Sequence, residues 1–161
     1  MANTRPRLFD APFFPTMMKA MSVAHVALFR LTRGRVGSTY RFGSAFPRGI
    51  PACLLTTRGR RTGRARTSAL VYLPDGERVV LIASRVGTPV HPQWYLNLRA
   101  DPEVIIETFP EGRRTMRART AEGRERADLW VRVVALHREY ASFESWTDRV
   151  IPVVVCEPVS G

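Results

Sequence analysis

Cys53-Leu54-Leu55-Thr56-Thr57 and Thr67-Ser68-Ala69-Leu70-Val71-Tyr72-Leu73 are apolar or β-branched runs, and between them stands Gly59-Arg60-Arg61-Thr62-Gly63-Arg64-Ala65-Arg66. Runs of this length bounded by glycine read as strands, so the middle segment is the turn of a hairpin. Its four arginines sit where glycines allow positive φ and a close backbone approach to a ligand. Guanidinium forks take phosphate or carboxylate in bidentate fashion, at about 1.5–3 kcal/mol per charged contact. The hairpin tip therefore suits a small polyanion. A solvated arginine-rich turn is the alternative that this segment alone leaves open.

Outward from the hairpin, strands are expected over Ala52–Thr57, Arg66–Leu73, Glu77–Ser84, Glu103–Phe109, Arg113–Arg119 and Val150–Cys156. Asp75-Gly76 predicts a tight hairpin and Pro110-Glu111-Gly112 a looser one. A short helix is expected over Pro92–Ala100, its proline at the position where no amide donor is needed. A longer helix is expected from Ala121 to Tyr140, with Thr120 as its cap and Glu122 in its first turn. Six strands with peripheral helices predict a mainly β (α+β) chain, largely antiparallel. Closure into a small barrel would remove the exposed edges.

From Pro15 to Thr32 the apolar residues Met17, Met18, Met21, Ala24, Leu28 and Leu31 recur at helical spacing. Only Thr16, Lys19, Ser22 and Arg30 form a thin polar face. Such a helix either packs deeply on the domain or lies at a membrane interface, aided by Arg5, Arg7, Arg33 and Arg35. Residues 33–51 are rich in glycine and proline and read as an irregular linker, with Tyr40 and Phe42 available to pack or to cover a ligand. The organisation expected is residues 1–50 as N-terminal helix and linker, and residues 51–161 as the barrel domain.

A chain of 161 residues fits one domain that buries roughly 70% of its unfolded surface. Its formal net charge is +11, and Lys19 is its only lysine. Arginine in place of lysine favours phosphate and carboxylate recognition. The positive field attracts anionic cofactors, nucleic acid or anionic lipid without choosing among them. Arg113, Arg114, Arg117 and Arg119 form a basic strand, but no regularly spaced aromatics accompany it to stack bases, so no specific nucleic-acid partner is expected. Cys53 and Cys156 lie in aliphatic runs and read as buried thiols. His25, His91 and His137 are isolated, so no metal site is expected. Pro12, Pro15, Lys19 and Arg30 interrupt the apolar segment from Ala11 to Leu31, which indicates neither a signal peptide nor a span. A cytoplasmic location is expected.

No nucleophile has a His and carboxylate pattern beside it, and no carboxylate pair sits in an apolar context. That suits an enzyme whose organic cofactor carries the chemistry, and equally a protein with no catalysis. Further along stand Ala83-Ser84-Arg85, then His91-Pro92-Gln93-Trp94-Tyr95-Leu96-Asn97-Leu98, then Ser145-Trp146-Thr147-Asp148-Arg149, Ile151-Pro152 and Val155-Cys156-Glu157-Pro158. With the arginine turn, and in this order, they resemble the mycobacterial deazaflavin-dependent nitroreductase and quinone reductase family. Its cofactor is coenzyme F-420, an 8-hydroxy-5-deazaflavin with a phospholactyl-oligoglutamate tail. The resemblance covers residues 50–158 and implies the split β-barrel shared with flavin-mononucleotide oxidoreductases.

It further implies that Arg60, Arg61 and Arg66 take the tail, with Thr62 adding a hydroxyl. The strand of Thr67, Ser68, Ala69, Leu70, Val71 and Tyr72 would run along the ring. Ile82, Ala83, Ser84 and Arg85 would face it across the pocket, and Gln93, Trp94, Tyr95, Leu96 and Asn97 would close the site. Arg85 stands where the family usually has lysine. Val71 and Phe143 stand where the nitroreductase has tyrosine, His137 near a third, while Tyr140 is kept. An acceptor site of Val71, Trp94, His137, Tyr140 and Phe143 follows, with Tyr140 also near the cofactor. Tyr140 and Ser84 are the candidate catalytic groups, hydrogen-bonding the accepting oxygen. The activity implied is hydride transfer from the reduced deazaflavin to a quinone or nitroaromatic, by a monomer or homodimer with possible membrane contact. The alternatives are a flavin-mononucleotide enzyme of the same barrel class, a cofactor carrier, or a basic module that binds nucleic acid or a membrane surface.

Overall fold

A computed structural model describes residues 5–40 and 49–159. Helix α1 (Phe14–Leu31) leads to the short strand β1 (Thr39–Tyr40), then to β2 (Ile50–Arg58), β3 (Ala65–Asp75) and β4 (Arg78–Ile82). Helix α2 (Gln93–Ala100) precedes β5 (Glu103–Thr108) and β6 (Gly112–Thr120). Two helices, α3 (Gly123–Leu136) and α4 (Glu139–Ser145), precede the last strand, β7 (Val153–Pro158). The sheet order is β1-β2-β3-β4-β7-β6-β5, and β5 pairs back onto β2. Six antiparallel strands thus close a barrel, with β1 appended to the start of β2.

Alternation along the strands explains the layers. Val79, Leu81, Val154 and Cys156 point into the barrel, while Val80, Ile82, Val153 and Val155 point outward beneath α3 and α4. A strand covered on both faces is apolar on both, hence the unbroken runs in β4 and β7. In β6 Met116 and Ala118 join the interior cluster, and Arg119 on the outer face pairs with Glu125 at 2.6 Å and Glu157 at 2.9 Å. The basic strand is therefore a solvated face with acids on it. Helix α2 plugs one barrel end with Trp94, Tyr95 and Leu98. The two cysteines are free and buried in the interior. Burial, with a smaller contribution from Glu157, pushes the Cys156 thiol up to about 12, and burial raises Cys53 still further.

Three expectations need correction. The helix expected over 121–140 is two helices, because His137 is extended (φ −147°, ψ 97°) between α3 and α4. Thr120 does not cap it: the residue belongs to β6, and its hydroxyl meets the Tyr95 hydroxyl at 3.0 Å. The third strand stops at Ile82 rather than Ser84, since Arg85, Val86 and Gly87 all take positive φ. Tyr40 packs on His25 at 5.1 Å, and Phe42 lies outside the described residues.

Helix α1 packs on the domain along part of its surface and leaves several apolar residues exposed. It docks on the barrel through Ser22, His25, Phe29 and Arg30: the Ser22 Oγ accepts the Ala69 N–H at 3.2 Å, and Arg30 pairs with Glu107 at 2.6 Å. The His25 Nε2 reaches the Gly37 carbonyl at 2.6 Å, and Phe29 is buried. Met17, Met18, Met21, Val23 and Leu28 of the helix remain exposed. Among the described residues no helix is long and apolar enough to cross a membrane, and no cluster of three His, Cys, Asp or Glu could hold a metal.

Candidate functional site

The arginine turn is tightly built. Arg58 pairs with Ala65 as the last rung of the ladder. Beyond it the Gly59 N–H donates to Arg64 O at 2.8 Å, and the Thr62 and Gly63 N–H groups both donate to Gly59 O at 3.2 and 2.7 Å. Gly63 has φ +67°, with open space around its missing Cβ, so the requirement is conformational rather than steric. Helix α2 fixes the tip. The Arg60 N–H and Nη1 donate to Asn97 Oδ1 at 3.2 and 3.1 Å, and Nη1 also donates to Gln93 Oε1 at 3.0 Å. The buried Asn97 gives its own N–H to the buried Thr57 hydroxyl at 3.2 Å, which turns its oxygen toward Arg60. Each partner is satisfied, as buried polar groups require.

Beside this turn lies a cleft of about 660 Å³. Its walls are Lys19, Ser22 and Val23 of α1, the turn, the first residues of β3, and Gln93, Trp94 and Asn97 of α2. Among the described residues, Lys19, Arg60, Arg61 and Arg66 supply four cations and no carboxylate lines the cleft. Uncompensated charge of this density calls for an anion. A smaller hollow of about 220 Å³ near β5 carries Asp101 and Glu103 beside Arg58, so its charges largely offset.

The cleft follows an open edge. Residues 72–75 of β3 pair with β4, but, among the described residues, 65–71 pair with β2 alone. The Ala69 N–H on that edge is taken by Ser22. Ladder parity puts the N–H and C=O groups of Thr67 and Val71 on the same edge. Of these, Thr67 lies on the cleft wall, with backbone groups that no described strand uses.

The expected site residues separate into two sets. Arg60, Arg61, Thr62, Arg66, Thr67, Ser68, Gln93, Trp94 and Asn97 come together around the cleft. Tyr95 and Ala83 belong to the barrel interior, with Leu70 and Tyr72 packed against it. Ile82 and Tyr140 are buried in the outer cluster under α3 and α4, and Val71 and Phe143 pack on that cluster. His137 stacks near Tyr140 at 4.9 Å. Burial raises the Tyr140 phenol far above its ordinary value, so it stays protonated. Leu96 is half-buried outside the cleft wall; the buried Ser84 and exposed Arg85 lie in the loop after β4. Lys19, Ser22 and Val23 were not anticipated. The available signal was the thin polar face on an otherwise apolar helix.

The chain matches the model of the family described as F420H(2)-dependent quinone reductase over residues 22–158. It is 37% identical over 134 residues to a protein of Mycobacterium tuberculosis (strain ATCC 25618 / H37Rv) named F420H(2)-dependent quinone reductase, covering 81% of this chain and 85% of the relative. Among solved structures it is similar to an F420-H2 dependent reductase (FDR-A), with TM-score 0.62 and 34% identity over 66% of this chain and 94% of that one. A domain-swapped dimer is similar with TM-score 0.64 and 29% identity, over 84% of this chain and 96% of that chain.

Proposed function

Because the chain belongs to the F420H(2)-dependent quinone reductase family, we propose that its cation-lined cleft takes the phosphate and glutamate tail of the cofactor, and that the open edge of β3 receives the ring. The protein is an oxidoreductase and coenzyme F-420 is its cofactor. When bound, the reduced deazaflavin supplies the hydride that a quinone accepts. One observation carries the assignment of the site: four cations and no carboxylate share one cleft with an aromatic wall, Trp94.

The residues present fit that group. Arg60 is already held by Gln93 and Asn97, so little side-chain freedom is lost when it meets an anion. Arg61, Arg66 and Lys19 extend the cationic wall for a multiply charged tail. In this reading residues 1–50 act as the cover, through α1, of the barrel formed by residues 51–161. Covering the cleft excludes water and holds the reactants in place. Val71, the last residue of the open edge, packs on the cluster that contains Tyr140 and Phe143. In this reading the acceptor lies at that end, with His137 nearby and Tyr140 as a neutral donor for its oxygen, and Ser84 is the second donor. Quinones lead as acceptors, and nitroaromatics follow as adventitious ones. The exposed apolar side of α1 supports peripheral contact of a cytoplasmic enzyme with the membrane in which long-tailed quinones dissolve.

Fluorescence titration of the purified protein with oxidised coenzyme F-420 and with flavin mononucleotide tests the reading. Micromolar or tighter binding of the former is expected, with the latter weaker. Tighter binding of flavin mononucleotide would overturn it in favour of a flavin enzyme of the same barrel class.

A further inference from the structure

Between β4 and α2 two consecutive non-glycine residues, Arg85 (φ 44°) and Val86 (φ 54°), lie in the left-handed region, and Gly87 follows at φ 66°. A β-branched residue rarely rests there, because its Cβ substituents crowd the backbone. Such a backbone persists only where its surroundings over-determine it. Here those surroundings centre on Arg149, 63 residues further along the chain from Val86. Its Nε donates to Thr88 O at 2.8 Å, and its Nη2 donates to Ser84 O at 2.6 Å and Ala83 O at 3.1 Å. Its Nη1 meets His91 Nδ1 at 3.2 Å. Desolvation, with the nearby Arg149 and Arg99 charges, holds the His91 pKa below its ordinary value, which suits a neutral ring accepting at Nδ1. One guanidinium therefore grips the chain on both sides of the left-handed pair. From the other side, Gly87 presses on α4 so closely that a Cβ there would meet Phe143 O at 2.6 Å.

We propose that Arg149 is a positioning residue for the cofactor cleft. By chelating the carbonyls of residues 83, 84 and 88, it holds the loop on the path that delivers Gln93, Trp94 and Asn97 to the cleft wall. The loop also carries Arg85, and α2, which follows it, carries Gln93 and Asn97, the partners of Arg60. The effect on binding rests on the reading that this cleft holds coenzyme F-420; the effect on the loop does not. Lysine cannot substitute, because a single ammonium lacks the planar fork that spans separated carbonyls.

The test compares wild type, R149K, V86G and the double variant in two measurements. In the cofactor-free protein, R149K should speed hydrogen exchange at Gly87 and Thr88 about tenfold or more, with the β2 amides of Leu54 and Leu55 unchanged. In titrations with coenzyme F-420, R149K should bind at least about tenfold more weakly. Glycine accepts positive φ without strain, so V86G in the R149K background should recover most of that loss. V86G alone should change affinity by less than about twofold. Unchanged loop exchange in R149K overturns the proposal. So does a double variant that binds no better than R149K, since Arg149 would then act by another route than holding this backbone. R60A separates the two claims. If R60A abolishes binding and R149K does not weaken it, the cleft assignment stands and the positioning role falls. If R60A leaves binding intact, the cleft assignment fails, and loop exchange alone decides for or against Arg149.

Discussion

The two ends of β3 are built on different principles. At its start, four cations are held around a cleft with no acid among them, and each hydrogen bond of the Arg60 tip has a named partner on α2. Toward its end, Val71 and Phe143 pack on a cluster where Tyr140 is 6% exposed and packs edge-on with Trp130, His137 and Phe143. Charge cannot be hidden without a partner, so the arginines of the turn stay at the surface of the cleft, where Arg119 of β6 meets acids instead. Aromatic rings serve a core as readily as a ligand, and packing decides which. The charged end is therefore left facing a cleft, and the aromatic end is committed first to its own packing.

The largest effect should break the charged end. Replacing Arg60 and Arg66 by alanine should weaken coenzyme F-420 binding by about 3–6 kcal/mol if the two losses add, while the thermal melt stays near wild type. Unchanged affinity in that variant would falsify the clamp. At the aromatic end the loss should fall on stability: Tyr140→Ala should cost about 3–5 kcal/mol in denaturant unfolding, because it empties a buried ring site. Tyr140→Phe sharpens the contrast. It should keep stability within about 1 kcal/mol and leave cofactor affinity alone, yet lower kcat about tenfold or more if the phenol meets the acceptor. An unaltered kcat would leave Tyr140 to packing alone.

A smaller loss is expected where α1 meets the open edge. Ser22→Ala removes the acceptor of the Ala69 N–H and should cost about 1 kcal/mol, read as faster exchange at Ala69. The smallest effect at neutral pH belongs to the ion pairs away from the cleft. Hydrogen bonds from Arg132 and Arg78 hold Asp75 below its ordinary 3.8, and Arg119 holds Glu125 and Glu157 below 4.5. Their folded values are depressed, so their contribution is full above the ordinary values and is lost as pH falls through the folded ones. The melting temperature should be insensitive to them above about pH 5 and fall progressively below it. A melt that is flat down to about pH 3 would show that these pairs contribute nothing.

Most of the barrel was legible because its signals are local. Alternation marks the strands, Asp75-Gly76 marks the β3–β4 turn, and glycines frame the arginine tip. The two-helix reality of residues 123–145 was not legible, since nothing local to His137 and Arg138 forbids one continuous helix. Neither was the place of Lys19 and Ser22, whose roles exist only because α1 lies on β3. Arg149 leaves no local pattern either, for its partners are carbonyls some sixty residues earlier. The aromatic residues were legible by type and not by use, because burial and ligand contact ask for the same side chains.

The placement of the two cysteines bears on how such an enzyme survives its own acceptors. Quinones are soft electrophiles, and a thiolate that reaches one adds to the ring and becomes arylated. Only the ionised sulfur is nucleophilic enough to do so at an appreciable rate. Cys53 and Cys156 are fully buried inside the barrel, and that burial keeps both protonated far beyond neutral pH. The folded protein therefore exposes no thiolate to the compounds it reduces. Covalent quinone adducts at cysteine should form only on molecules whose barrel has opened.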